Sequence, residues 1–254
     1  MTSKLINFYE KPATKKYLNT SKNPGFDDTQ MKINSRTMII GSSGSGKTLA
    51  LLNYIALCKN TFHAIYICTK MEEPLYQLLY DTMKKTGRVH ILYNELSKLP
   101  PVDDIREKKE DATLVVFDDY VCDKKAMKSS LIADYFIRGR KQNVTCVFLT
   151  QSYFEVPKLY RSQMQYIILL KISSFRDLKL IFSDFQFGDD KDAFVRIYNE
   201  ATGEFPNFLK ISIDEQDFDK KFSKNFTDFF RVKGGGVVVV AEKEIEKDDN
   251  DENI

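Results

Sequence analysis

The sequence predicts an α/β fold in which a mainly parallel central sheet carries helices on both faces. Three observations point there. Short apolar runs alternate with stretches of helical periodicity, the pattern of strands joined by crossover helices. One apolar run, residues 37–40, and one helical stretch, residues 49–58, bracket a glycine-rich octapeptide. A third feature, Leu114-Val115-Val116-Phe117 followed by Asp118-Asp119, describes a buried strand that ends in acids. Such a strand delivers carboxylates to the carboxyl edge of the sheet, where open α/β folds bind their ligands.

In chain order, residues 1–30 are polar and lysine-rich, with a turn signal at Asn23-Pro24-Gly25, and read as an N-terminal arm. Residues 31–232 form the domain. Strands are expected at 37–40, 64–69, 88–93, 113–118, 143–150 and 166–172, and a last edge-type strand at 208–213. Helical spacing marks 72–85, with Leu75, Leu78, Leu79 and Met83 facing inward. It also marks 124–138, with Met127, Leu131, Tyr135 and Phe136 on one face. Two shorter helices follow: Ser174 and Asp177 resemble a capping box for the first, and Asp190 can cap the second, which Gly203 closes. Residues 233–254 read as a flexible acidic tail. Its run of four valines could pair as an edge strand, but disorder is the stronger expectation.

Composition sets outer bounds. The 254 residues suit one domain with appendages, and the net charge of +2 hides an asymmetry. Seven acids against two lysines leave residues 241–254 at −5, so the rest of the chain is mildly basic, at about +7. Cys58, Cys68, Cys122 and Cys146 have neither metal spacing nor a disulfide pattern, and are expected to be reduced and mostly buried. His63 and His90 stand alone near strand starts and read as structural. No apolar run is long enough to span a bilayer, and no signal-peptide core is evident. A soluble intracellular protein without membrane contact is therefore expected.

The octapeptide Gly41-Ser42-Ser43-Gly44-Ser45-Gly46-Lys47-Thr48 carries the chemistry. It fits G-x-x-x-x-G-K-[ST], a pattern that chance supplies in about one chain in a hundred of this length. Its flanks, strand before and helix after, are those the mechanism needs. The glycines let the backbone wrap phosphate oxygens, while loop amides and the helix N-terminus supply positive potential. Lys47 would reach β- and γ-phosphates, and the Thr48 hydroxyl would ligate Mg²⁺, so ATP with Mg²⁺ is the expected ligand. Asp118 would hold the cation, and Asp119 beside it is placed to orient and deprotonate a water. Were strand 143–150 to lie between the octapeptide strand and the Asp118 strand, Gln151 would face the γ-phosphate and sense its presence. Arg140 and Arg161 are candidates for a guanidinium offered to a neighbouring subunit, although the dipole of the preceding helix also favours a base at position 140. The lysines of 124–128 and 158–161 could follow a phosphate backbone, though solvated faces are commoner.

Taken in order, Gly41 to Thr48, Leu114 to Asp119, Gly139-Arg140 with Asn143, Thr150-Gln151, and Pro157 with Arg161 resemble the genome-packaging ATPases of large DNA viruses, poxviruses and virophages. Those belong to the FtsK–HerA superfamily of DNA pumps. Two positions depart from that group's pattern: Asp119 stands where many members have Glu, and Lys141 where His is frequent. The resemblance implies an additional-strand RecA-like P-loop fold and a homo-oligomeric ring around double-stranded DNA at a capsid vertex. It further implies hydrolysis aided by a neighbour's arginine, capsid proteins as partners, and the host cytoplasm (virus factory) as location. Two other classes stay open: a nucleoside-type phosphotransferase, which needs an acceptor pocket and an arginine-rich lid, and a nucleotide-gated scaffold without turnover.

Overall fold

The computed structural model describes residues 6–15, 22–185, 191–233 and 236–241. Ten strands form one sheet: β1 (Arg36–Ile40), β2 (Ala64–Thr69), β3 (Val89–Tyr93), β4 (Thr113–Asp118), β5 (Val144–Thr150), β6 (Tyr166–Leu169), β7 (Leu209–Ser212), β8 (Phe222–Lys224), β9 (Asp228–Lys233) and β10 (Gly236–Ala241). Their spatial order is β10-β9-β8-β7-β6-β1-β5-β4-β2-β3. The six strands from β6 to β3 in that order run parallel, and β7 to β10 extend the sheet antiparallel. The expected condition for Gln151 is met, since β5 pairs with β1 on one side and β4 on the other.

Strand side chains alternate between faces with a period of two, and the core divides accordingly. On one face Val115, Phe117, Phe148 and Ile167 pack with Ile132, Tyr135, Phe136, Ile181 and Ile197 from helices Ser130–Arg138, Phe175–Phe185 and Lys191–Ala201. On the other, Ile39, Leu114, Val116 and Leu149 pack with Leu51, Tyr54 and Tyr76 from helices Lys47–Leu57 and Pro74–Met83. The same parity carries Asp118 to the face of Leu114 and Val116. It therefore points toward the helix that follows the glycine loop.

Several expectations change. The 124–138 helix is two, Lys124–Met127 and Ser130–Arg138. In the second, Ile132 rather than the half-buried Leu131 is fully inside. In helix Pro74–Met83 the buried anchor is Tyr76, whereas Leu78 is exposed. The 208–213 run is not the last strand, because β7 is interior and is followed by three more. The valine run forms β10 along β9, the edge-strand alternative rather than disorder; Asp190, Gly234, Gly235 and residues 242–254 lie outside the described residues. Part of the presumed arm belongs to the packed body. Thr29 is buried and its carbonyl accepts from the Nζ of fully buried Lys210 at 3.0 Å, a lysine that also donates to the Phe226 carbonyl. Cys58, Cys68 and Cys146 are buried free thiols, but Cys122 is exposed. His63 faces Asp111 at 3.9 Å and His90 stacks on Tyr66, both structural roles.

Candidate nucleotide-binding site

The chain leaves β1 at Ile40 and turns through the glycine loop into helix Lys47–Leu57. The turn is anchored on both flanks: Gly41 N donates to the Thr150 carbonyl at 3.2 Å, and Ser42 N to the Lys171 carbonyl at 3.0 Å. Gly46 adopts φ 98°, a backbone conformation that calls for glycine, and its open side faces the Phe205 ring. As the N-cap it offers no side-chain acceptor to the first-turn amides. Those amides are open to an anion at the positive end of the helix.

A cleft of about 420 Å³ opens over this loop. Its lining includes Ser43, Gly44, Gly46, Lys47 and Thr48 from the loop and helix, Asp118 and Asp119 beyond β4, Gln151 beyond β5, and Glu72, Glu73 and Phe205 from neighbouring segments. Lys47 Nζ donates to the carbonyls of Gly41 at 3.0 Å and Ser42 at 3.2 Å. Burial lowers its pKa, with Asp119 and Asp118 pulling the other way. Asp118 is buried and its pKa is pushed up to about 6, chiefly by desolvation, with Asp119 adding to the rise and the Tyr76 hydrogen bond and Lys47 opposing it.

A carboxylate in that condition is short of positive charge. The available donors, the Thr48 hydroxyl and the Asp118 carboxylate, are hard oxygens. They fit Mg²⁺, which takes one or two protein oxygens and fills its octahedron with water and phosphate. Asp119 is half-buried and sits at φ 54°, a left-handed conformation that few non-glycine residues adopt. Gln151 is exposed on the cleft wall.

Loop residues 41–48, Asp118, Asp119 and Gln151 are thus brought together at one edge. Among the loop residues, Ser42 and Ser45 face inward: Ser42 Oγ accepts from Ser173 N at 3.0 Å, and the Ser45 side chain lies against Gly41. The arginines are not part of the cleft. Arg140 lies in the turn Gly139–Gln142 that precedes β5, and Gln151 follows β5. Seven strand residues at ~3.3 Å each put about 20 Å between the two edges. Arg140 is exposed there, whereas Arg161 is held within its own chain, donating to Asp184 at 2.8 Å and stacking 4.9 Å from the Tyr153 ring centre. Its guanidinium is mostly enclosed, with Nη1 on Asp184, so Arg161 stands in its own chain as a packed ion-pair partner. Asn143 is also structural. Fully buried at φ 61°, it donates to the carbonyls of Glu110 and Asp111.

One residue escaped the sequence reading, and a second was read only as a cap. Tyr76 is fully buried behind Asp118, its hydroxyl donating to Asp118 Oδ2 at 2.7 Å. Asp177 does receive the capping bond, its N–H donating to Ser174 Oγ at 3.3 Å, but its buried carboxylate has another use. It accepts from Tyr153 N at 3.0 Å and Phe154 N at 3.1 Å, fastening the loop behind Gln151 to helix Phe175–Phe185.

Comparison with known proteins follows the same lines. Residues 26–204 match the model of the family described as Poxvirus A32 protein. The DNA packaging protein OPG160 of Vaccinia virus (strain Copenhagen) is 26% identical over 200 residues, which cover 74% of this chain and 72% of that protein. The protein of the same name from Variola virus is 27% identical over 155 residues, 56% of this chain and 55% of that one. Among solved structures, B204, the DNA-packaging ATPase of Sulfolobus Turreted Icosahedral Virus, is similar with a TM-score of 0.55 at 16% identity, covering 77% of this chain and 98% of B204. B204 from Sulfolobus turreted icosahedral virus 2 in complex with ATP-gammaS gives 0.56 at 16% identity with the same coverage. At such identities the likeness to B204 shows a shared P-loop ATPase fold.

Proposed function

The chain belongs to the Poxvirus A32 protein family, and from that premise we propose that it is a Mg²⁺-dependent ATPase that drives double-stranded DNA into a preformed viral capsid. The observation that carries the reading is the convergence of Lys47, Thr48, Asp118, Asp119 and Gln151 on one cleft at the carboxyl edge of the sheet. The loop amides and Lys47 would grip the phosphates of ATP, and Phe205, 71% exposed and against Gly46, offers its ring to the base. Mg²⁺ held by Thr48 and Asp118 would neutralise phosphate charge. Asp119 then orients and deprotonates the attacking water, and Gln151 contacts the γ-phosphoryl group. Loss of that group is felt by the Ser152–Phe154 loop and, through Asp177, by helix Phe175–Phe185.

Arg140 is the better candidate for a charge supplied in trans. It is exposed on the edge opposite its own cleft, so only a neighbour's nucleotide is within its reach. This reading calls for a homo-oligomeric ring. The described residues include no helix long and apolar enough to cross a membrane, and the host cytoplasm is where such a ring would meet DNA and capsid.

ATP turnover measured with and without duplex DNA, beside the mass of the assembly, tests the proposal. Stimulation by DNA in a ring-sized species is expected. A monomer whose hydrolysis ignores DNA, or responds instead to a free nucleoside, overturns it.

A further inference from the structure

Tyr76 does more than fill space beneath the cleft. Its ring is fully buried in the core between helix Pro74–Met83 and the sheet. A phenol buried this deeply costs several kcal/mol unless its hydroxyl is bonded. A phenylalanine would fill nearly the same volume without that cost. The hydroxyl instead donates to Asp118 Oδ2 at 2.7 Å. The partner of this buried hydroxyl is therefore the carboxylate assigned to the cation, which lies on a different element of the fold.

We propose that Tyr76 is the positioning residue of the Mg²⁺ site: it fixes the rotation of the Asp118 carboxylate so that its free oxygen is presented to the ion. With Oδ2 engaged by the phenol, Oδ1 is the oxygen left for the cation or its water. Without the phenol, the carboxylate can turn about its Cβ–Cγ bond, and orienting it becomes part of the cost of binding. Groups that orient metal ligands in this way typically contribute 10–100-fold to metal affinity. Helix Pro74–Met83 is held in register for the task by Glu73, whose carboxylate accepts from Leu75 N at 3.3 Å at its start. The inference rests on the Mg²⁺-ATP reading above.

The test is a Mg²⁺ titration of a fluorescent ATP analogue bound to the full chain, with EDTA as the metal-free reference. Tyr76→Phe is expected to raise the Mg²⁺ concentration at half effect by about tenfold or more. Binding in EDTA should change less than twofold. Tyr76→Met, which also lacks the hydroxyl but fills the site, should follow Tyr76→Phe should the latter fold poorly. Tyr54→Phe, equally buried on the same face but packed on Phe62 and Phe226, serves as control and should match the wild type. A Tyr76→Phe titration that superposes on wild type overturns the proposal, as does an equal loss with and without Mg²⁺. A wild-type titration with no response to Mg²⁺ overturns the underlying cation reading as well.

Discussion

Replacing Asp177 should damage the protein in a measured and divisible way. Its side chain is 2% exposed and accepts two backbone N–H groups, Tyr153 N at 3.0 Å and Phe154 N at 3.1 Å, while Ser152 Oγ approaches at 3.5 Å, too far to count for much. Asp177→Ala strands both amides. A donor left without a partner in a buried setting costs about 1–3 kcal/mol, so two such losses amount to roughly 3 kcal/mol, allowing for partial access of water to Phe154 N. In a chain of this size each kcal/mol moves Tm by about 2–4 °C, so a fall of roughly 6–12 °C is expected. Asp177→Asn keeps one acceptor oxygen and should lose about half as much. Thermal melts give the first readout. The second is ATP turnover with and without duplex DNA below both melting points, where Asp177→Asn should retain nucleotide affinity but lose most of the stimulation by DNA. An unchanged Tm in Asp177→Ala would refute the structural reasoning. Full stimulation in Asp177→Asn would refute the relay from Gln151.

Asp119→Asn should leave ATP affinity within a few-fold while turnover falls about a hundredfold or more, as single-turnover kinetics beside equilibrium binding would show. Phe205→Ala should weaken ATP by about 1–3 kcal/mol in calorimetric titration. Binding of tripolyphosphate, which has no base, should be untouched. Arg140→Ala should slow hydrolysis about a thousandfold, and mixing it with Lys47→Ala should restore part of the activity, since some interfaces then pair an intact cleft with an intact arginine. Arg161→Ala should instead lower Tm through the lost Asp184 pair and leave the mixing pattern unchanged.

Much of the sheet was legible because its central strands are buried on both faces. The runs at 64–69 and 113–118 are continuous apolar segments bounded by polar turns, and they match β2 and β4. The loop and the paired acids were legible for a related reason: their chemistry demands a strand before them and an edge beneath them. Helix Pro74–Met83 was found, but its orientation was not, because counting leucines favours Leu78 while the sheet takes Tyr76, whose hydroxyl has an acceptor waiting at Asp118. Arg161 shows the limit of local patterns, since its partner Asp184 is 23 residues away and on another helix. Asp177 fits a local cap in sequence, and only the tertiary fold brings the Tyr153 and Phe154 amides to it. Beyond β7 only the valine run of β10 had been weighed as a strand, and β8 and β9 were missed, as β8 is three residues long and Phe222, Phe226, Phe229 and Phe230 lack a strict alternation.

The most direct test is the structure of the full chain bound to Mg²⁺ and a non-hydrolysable ATP analogue. Lys47 Nζ is expected there to have left the Gly41 and Ser42 carbonyls for the terminal phosphates, with Mg²⁺ between Thr48 and Asp118 and with Asp119 and Gln151 flanking the γ-phosphate. A nucleotide seated elsewhere, or a cation out of reach of Asp118, would contradict the Mg²⁺-ATP reading.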